Sequence, residues 1–329
     1  MTKLQTQFPN ADDKKVRKNK YINISVLRPY GIIFAFIVVF ALLSLLTNAF
    51  ATTRNILNIL DQAAQVGLAA VGVTLPIIGG CFDLSLGAIY AASGSVAAFI
   101  ALRGYPDLGL VVGILLGFLI GCMNGLIITK LRINSFVATL ASGLIIRGIA
   151  YVLTNGLLIQ VIDERFAVLG RGYFLGIKLP IYIFFGFAIL VWFLLSRTTF
   201  GRYVYAIGGN EEAARLSGVH TDLIRILTFA ISGLGAGLAG VIAASRISTG
   251  QAGVGDPVTL SAIAAVVIGG TSILGGEGAI WRTIFGVLLL QLISNGMNIL
   301  DIQPFFQLAV QGFIILFAVT LDALRSRSP

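Results

Sequence analysis

Long apolar runs separated by short polar connections set the pattern of this chain. The first run, Tyr30 to Thr47, follows a polar and basic stretch over residues 1–29 that carries Lys3, Lys14, Lys15, Arg17, Lys18, Lys20 and Arg28. Further runs lie near 56–79, 85–102, 108–128, 134–154, 179–195, 223–245, 258–274, 282–300 and 304–322. Each is long enough to cross a hydrocarbon core of about 30 Å as a helix, so the pattern predicts about ten transmembrane helices. The second run is the least regular, because it contains Asp61, Gln62, Gln65 and Pro76. The first has a competing reading as a signal peptide, since Ala49-Phe50-Ala51 resembles a cleavage site. Its leading segment is long, and the run exceeds the usual h-region of about 7 to 15 residues, so it is read as a retained spanning helix.

Composition agrees with this pattern. Hydrophobic residues make up 57% of the 329-residue chain and charged residues 11%, against roughly 25% charged in soluble domains. That charge cannot cover a water-soluble surface, so the fold class is an all-α polytopic membrane protein. The distribution of basic residues orients it, because cytoplasmic loops are enriched in Lys and Arg. With the N-terminus inside, sixteen basic residues fall on inner segments: the seven above, Lys130, Arg132, Arg197, Arg202, Arg215, Arg225, Arg282, Arg325 and Arg327. Six fall outside: Arg54, Arg103, Arg165, Arg171, Lys178 and Arg246. This bias predicts both termini in the cytoplasm. The organisation is then a basic cytoplasmic segment (1–29), one transmembrane domain (30–322) with a cytoplasmic loop at 196–222, and a cytoplasmic tail (323–329).

Within that loop, Phe200 to Val219 is a polar island containing a short helix signature. Asn210 is a good N-cap, and Glu211 and Glu212 put negative charge in the first turn, where the backbone dipole favours it. Ala213, Ala214, Arg215 and Leu216 are helix formers, and Gly218 stands where the helix would stop. So short a helix is marginal alone, so the membrane domain or a partner must hold it. On the outer side, 155–178 is the longest connection, a solvated loop or a landing surface for an external partner.

Other features lie within the apolar runs. Gly79 to Gly87 interrupts two spans with glycine-rich backbone and a carboxylate, Asp83. Irregular backbone at membrane depth is tolerated where protein buries it or it lines a cavity, so Asp83 is either a cap for the next helix or part of a solute path. A second glycine-rich break, Gly269 to Gly278, also begins Gly-Gly, hinting at an internal repeat. Gly113, Gly117, Gly121 and Gly125 form a smooth helical stripe, with a similar set at Gly233, Gly237 and Gly240, suited to close helix crossing. Arg147 inside the fifth span needs a carboxylate or carbonyls, or must snorkel. Asn124, Ser135, Thr139, Ser142, Gln291, Asn295 and Asn298 offer hydrogen bonds either to a hydroxyl-rich solute or between helices. Cys81 and Cys122 suit small buried hydrophobes rather than a disulfide. One histidine and two cysteines make no metal site. No Gly-Lys-Ser/Thr occurs, so the chain carries no phosphate-binding loop, and no nucleophile elbow or catalytic constellation is present.

Four segments together resemble the permease subunit of ribose-type ABC sugar importers: AIGGNEEAARLSGV, the FDLSLG break, RINSFVATLASGLIIRGIAYVLTNG at 132–156 and AIAAVVIGGTSILGGEGAI at 262–280. The resemblance covers about residues 30 to 322. Asn134 departs from it, where relatives commonly have proline, as does Cys81, where they carry an aliphatic or other small residue. The resemblance implies the larger, ten-helix class of ABC importer permease in the bacterial inner (cytoplasmic) membrane. It implies a second permease copy (a homodimer), a separate cytoplasmic ATPase that uses ATP and Mg, and a periplasmic or extracellular sugar-binding protein. No cofactor bound by this chain and no nucleic-acid partner is implied. The segment between spans six and seven would be the coupling helix, with Gly208, Gly209, Asn210, Glu211, Ala213, Ala214, Arg215, Leu216 and Gly218 engaging the ATPase. Asp83, Ser85, Asn124, Ser135, Thr139, Arg147 and Asn295 are candidates for the substrate pathway. Expected cargo is a ribose-like pentose or a hexose. Branched-chain amino acids or nucleosides, which related permeases carry, and a secondary transporter or channel are the alternatives.

Overall fold

A computed structural model of the chain describes residues 30–303 and, beyond them, 305–307, 309–313, 316 and 320. The basic segment 1–29, the tail 323–329 and parts of the tenth predicted span lie outside the described residues. The helices follow the apolar runs closely: α1 (Gly31–Leu46), α2 (Thr53–Ile78), α3 (Leu86–Leu102), α4 (Pro106–Leu131) and α5 (Ser135–Thr154). After a connection containing the short α6 (Val168–Arg171) come α7 (Leu179–Arg197), α8 (Thr199–Gly209), α9 (Glu211–Leu216), α10 (Thr221–Ile247), α11 (Asp256–Ile268) and α12 (Ile280–Ile299). Among the described residues, α2, α4, α5, α7, α10 and α12 are long and apolar enough to cross a membrane, while α1, α3 and α11 are shorter apolar helices. The outward faces of α4 and α5 expose Leu115, Leu119, Leu144, Ile145 and Val152, an apolar surface suited to lipid. The chain is a multi-pass membrane protein.

Two expectations need revision. The eighth run, expected over 258–274, is helical only to Ile268. There Gly269 ends the helix, and Gly270 takes φ +82°, a conformation that costs glycine little. The polar island also holds a second helix, α8, ahead of the expected one, anchored by buried Val204 and Ile207. The two glycine breaks are built alike. At the first, the N–H groups of Gly79, Gly80 and Cys81 donate to the carbonyls of Leu75, Ile77 and Pro76. At the second, Gly269, Gly270 and Thr271 donate to Ala265, Val267 and Val266. Both patterns are Schellman caps with the left-handed residue at the second glycine.

Helix α10 lies at the centre, packed on α4, α2 and α3. Glycines allow this. A Cβ on Gly121 would overlap the carbonyl oxygen of Phe229, and one on Gly117 would sit 2.5 Å from the Gly233 oxygen. Gly235 lies against the Leu68 carbonyl on α2, and Gly240 against Tyr90 on α3. The stripe foreseen on α4 therefore meets the one on α10. A core of small and branched side chains, including Leu68, Val71, Leu75, Phe184 and Ile242, fills the space between. Both cysteines are free, with Cys81 packed among Ile128, Ala138 and Phe229.

At the end of the bundle opposite α9, the connection 155–178 adds two small antiparallel pairs. Strand β1 (Ile159–Gln160) pairs with β4 (Thr249–Gly250), and β2 (Tyr173–Phe174) with β3 (Ile177–Lys178). Leu175 and Gly176 both have positive φ, as a two-residue hairpin of the favoured twist requires. Asp163 accepts from the Arg165 guanidinium and its backbone N–H, which hold its carboxyl below the usual range.

Packing at the glycine stripe yields a paired test. Gly121→Ala is expected to cost about 1–3 kcal/mol through overpacking. Gly148→Ala, with nothing within 4 Å of its Cβ, is expected to be neutral or to gain up to about 1 kcal/mol. Thermal unfolding of the purified protein in detergent reads both, and equal shifts would refute the packing account.

Candidate functional site

Two constellations stand out, one at the surface around α9 and one buried beside the first glycine break. Asn210 caps α9 by accepting the Ala213 N–H at 2.9 Å, and Gly218 closes the far end at φ +84°. Glu212 pairs with Arg215 along the helix, while Glu211 reaches Arg225 on α10 at 2.7 Å. Ala214 is buried against the core, whereas Leu216 is 81% exposed. So α9 is fastened to α10 on one side and presents an apolar tip with a charged rim on the other. Beside it runs a groove of about 930 Å³ lined by Arg132, Asn134, Glu211, Arg215, His220 and Asp222, among others.

The residues just before α9 bind it to the bundle. A Cβ on Gly208 would overlap the Ile78 carbonyl oxygen and lie 2.5 Å from the Gly276 nitrogen. Gly276 N–H donates to that Ile78 oxygen at 2.8 Å. Tyr205 on α8 donates its hydroxyl to the Gly278 carbonyl at 2.8 Å. Burial pushes the Tyr205 phenol up, against the opposing effect of the Arg282 charge. The end of α2, the end of α8 and the Gly275–Gly276 turn between α11 and α12 therefore meet backbone to backbone. Gly209, by contrast, has open space around it.

The buried constellation centres on Asp83, which is fully buried. Its Oδ1 accepts the Ser85 N–H at 3.1 Å and the Ser85 hydroxyl at 2.5 Å, and its Oδ2 accepts the Ser232 hydroxyl at 2.8 Å. Asn124 Nδ2 donates to the Ser85 hydroxyl at 2.8 Å. From α5, Ser135 accepts the Phe82 N–H at 3.1 Å and Thr139 accepts the Leu84 N–H at 3.0 Å. Ser135 and Thr139 on α5, with Asp83 itself, thus satisfy backbone N–H groups of the break, as a membrane interior demands, while Asn124 on α4 and Ser232 on α10 bond its side chains. Asp83 does not cap α3 as expected, since the N-cap is Ser85 and makes no side-chain cap bond; it braces the Ser85 N–H and hydroxyl just ahead of the helix and ties them to α10.

Five of the seven pathway candidates, Asp83, Ser85, Asn124, Ser135 and Thr139, meet at this break, and two lie elsewhere. Arg147 makes a bidentate pair with Asp256 at the start of α11, one arm at 2.8 Å. Asn295 exchanges amide hydrogen bonds of 3.0 and 2.9 Å with Asn55, joining α12 to α2. Sequence reasoning noted Asp61 only as an irregularity. It is 1% exposed, bonds Lys178 at 2.6 Å and faces Arg246 at 3.2 Å, and its Oδ1 has no partner among the described residues. An isolated acid in an apolar run signals such a cluster, but its partners lie far along the chain. No group of metal-ligating side chains occurs among the described residues.

Comparison with known proteins is consistent over most of the chain. The family model described as "branched-chain amino acid transport system / permease component" matches residues 55–319. The ribose import permease protein RbsC of Bacillus subtilis (strain 168) is 41% identical over 304 residues, covering 92% of this chain and 94% of that protein. That of Escherichia coli (strain K12) is 37% identical over 312 residues, covering 93% and 97%. The L-arabinose ABC transporter permease protein AraH of Azospirillum brasilense is 39% identical over 296 residues, covering 90% and 87%. No solved structure matches.

Removing the Asp83 carboxylate would strand one N–H and two hydroxyl groups in a buried site. Asp83→Ala is therefore expected to lower stability by at least about 2–3 kcal/mol, and Ser232→Ala by about 1 kcal/mol. Thermal denaturation in detergent checks the order, and an Asp83→Ala protein as stable as the parent would show that the network is not structural.

Proposed function

The chain belongs to the branched-chain amino acid transport system permease family, and we propose that it is the membrane permease subunit of an ATP-driven ABC importer for a monosaccharide. The observation that carries this reading is identity of 37–41% over more than 90% of both chains with ribose import permeases. An arabinose permease matches at a similar level, so a sugar is favoured over the amino acids of the family's description. Ribose and arabinose are pentoses, and pentoses are the first cargo to test. The subunit moves solute without chemistry on it.

With no phosphate-binding loop in the sequence, a separate cytoplasmic ATPase would hydrolyse ATP with Mg, and an external binding protein would deliver the sugar. A second copy of the chain would complete the pathway in the bacterial inner membrane. We read ten spans: the six long helices, the shorter α1, α3 and α11, and the segment 304–322. Helix α3 has 17 residues and is buried along most of its length, which suits a discontinuous helix lodged in protein rather than lipid. The charge bias then places α9 in the cytoplasm with both termini, and the 155–178 connection outside. The proposed domain limits remain 30–322 for the permease, with 1–29 and 323–329 as cytoplasmic ends.

Within this reading α9 is the coupling helix. Leu216 would enter a cleft of the ATPase as the apolar anchor, with Glu211, Glu212 and Arg215 as the rim. Gly208, Gly209, Asn210, Ala213, Ala214 and Gly218 would shape and seat the helix. Rigid-body rocking driven by ATP would alternately expose the pathway.

Leu216→Asp is expected to weaken ATPase binding at least about 30-fold, the equivalent of a hot spot near 2 kcal/mol, and to abolish uptake without unfolding the permease. Co-purification and uptake of labelled pentose into proteoliposomes measure this. Normal docking would remove α9 from the coupling role, and ATP-independent uptake by the lone chain would sink the ABC reading.

A further inference from the structure

A space with polar groups on its wall lies within the bundle away from Asp83. It is a cavity of about 240 Å³ between α2, α3, α10 and the residues after β4. It lies toward the end of the bundle opposite α9, the external side in the reading above. Its polar lining comes from Gln65, Tyr90, Arg246, Thr249 and Gln251, and Val254 and Ile247 supply apolar surface.

Hydrogen-bonding capacity separates this cavity from the Asp83 cluster. Asp83, Ser85, Asn124 and Ser232 bond to one another. The Tyr90 side chain is 7% exposed, yet among the described residues its hydroxyl has no hydrogen-bond partner, nor do the amides of Gln65 and Gln251. These groups face the cavity with their hydrogen-bonding capacity open to water or a ligand. The Arg246 guanidinium is held from one side by Asp61 at 3.2 Å, which leaves further N–H groups of its five-donor fork available. Lys178 bonds the same carboxylate at 2.6 Å, so the acid fixes the arginine rather than facing the cavity as a free charge.

We infer that this cavity is a binding site for one monosaccharide molecule on its way through the permease. The inference rests on the sugar-permease reading and locates where that solute is held. Two amides, a phenol and a guanidinium fork are suited to adjacent hydroxyls, which both donate and accept. The Tyr90 ring, Val254 and Ile247 give the apolar contact that the C–H face of a sugar ring needs. Size agrees as well. The space equals about eight water volumes of ~30 Å³, below the ~300–1,000 Å³ of pockets for drug-sized ligands, and a pentose has ten non-hydrogen atoms. Gly94 and Gly240 on the wall leave this room; Gly240 packs on the Tyr90 backbone, which fixes the ring's position.

The test uses the complete complex of permease, ATPase and binding protein in proteoliposomes, with labelled D-ribose and L-arabinose. Tyr90→Phe, Gln65→Leu and Gln251→Ala are each expected to assemble normally and to lower the sugar moved per ATP hydrolysed at least fivefold. Gln251 is exposed, so its variant guards against loss through misfolding. In parallel, A243C places a thiol on the cavity wall. Its modification by a methanethiosulfonate reagent should slow at least threefold when sugar is present, and Y90F should remove that protection. Parental uptake by all three variants, or sugar-independent modification of A243C, overturns the site while leaving the permease reading intact. Absence of ATP-driven monosaccharide uptake by the unsubstituted complex overturns both.

Discussion

Backbone touching backbone across glycine is the constraint on which this bundle rests. Helix α10 approaches α4 through Gly117, Gly121 and Gly233, α2 through Gly72 and Gly235, and α3 through Gly94 and Gly240. In lipid no hydrophobic gain drives helices together, so van der Waals packing and interhelical polar bonds must do so. Omitting the Cβ at these crossings lets whole helix surfaces meet. One polar part of the association is the bond from Ser232 of α10 to Asp83, just ahead of α3. Interiors packed this densely transmit strain instead of absorbing it, so α10 cannot shift without moving three neighbours.

Much of this was legible in the sequence, for identifiable reasons. Apolar runs of helix length gave the helices, because lipid permits few other backbone solutions. The eighth run overshot its helix because Ile273 and Leu274 continue the apolarity after the backbone has turned at Gly269 and Gly270. The capped helix at Asn210 was readable because its signals are local, acting over three or four residues. Helix α8 was not, since its formation depends on burying Val204 and Ile207 against distant segments, and short helices owe their stability to such packing.

The same distinction applies to the sites. The bond of Asp83 to Ser85, two residues away, is local and could be seen, though it braces the turn ahead of α3 and does not cap the helix. Its bond to Ser232, the Asn55–Asn295 pair and the Asp61–Arg246–Lys178 cluster join residues far apart along the chain, which no periodicity reports. Arg147 announced its need for a carboxylate, but not that Asp256 would supply it. The cavity beside Tyr90 is the furthest from the sequence signal, because it is defined by what four separate segments leave unfilled.

The junction at Gly208 also bears on how a stroke from below would be divided. The end of α2 at Ile78 and the Gly275–Gly276 turn, which lies between α11 and α12, both abut Gly208 at the end of α8, just ahead of α9. The linkage contains no long side chain that could bend, only main chain pressed on main chain. It works like a crank with two connecting rods, in which the input displacement reaches both rods with almost no play. Backlash, more than force, is what such a joint removes, and a single methyl group at position 208 would be enough to jam it.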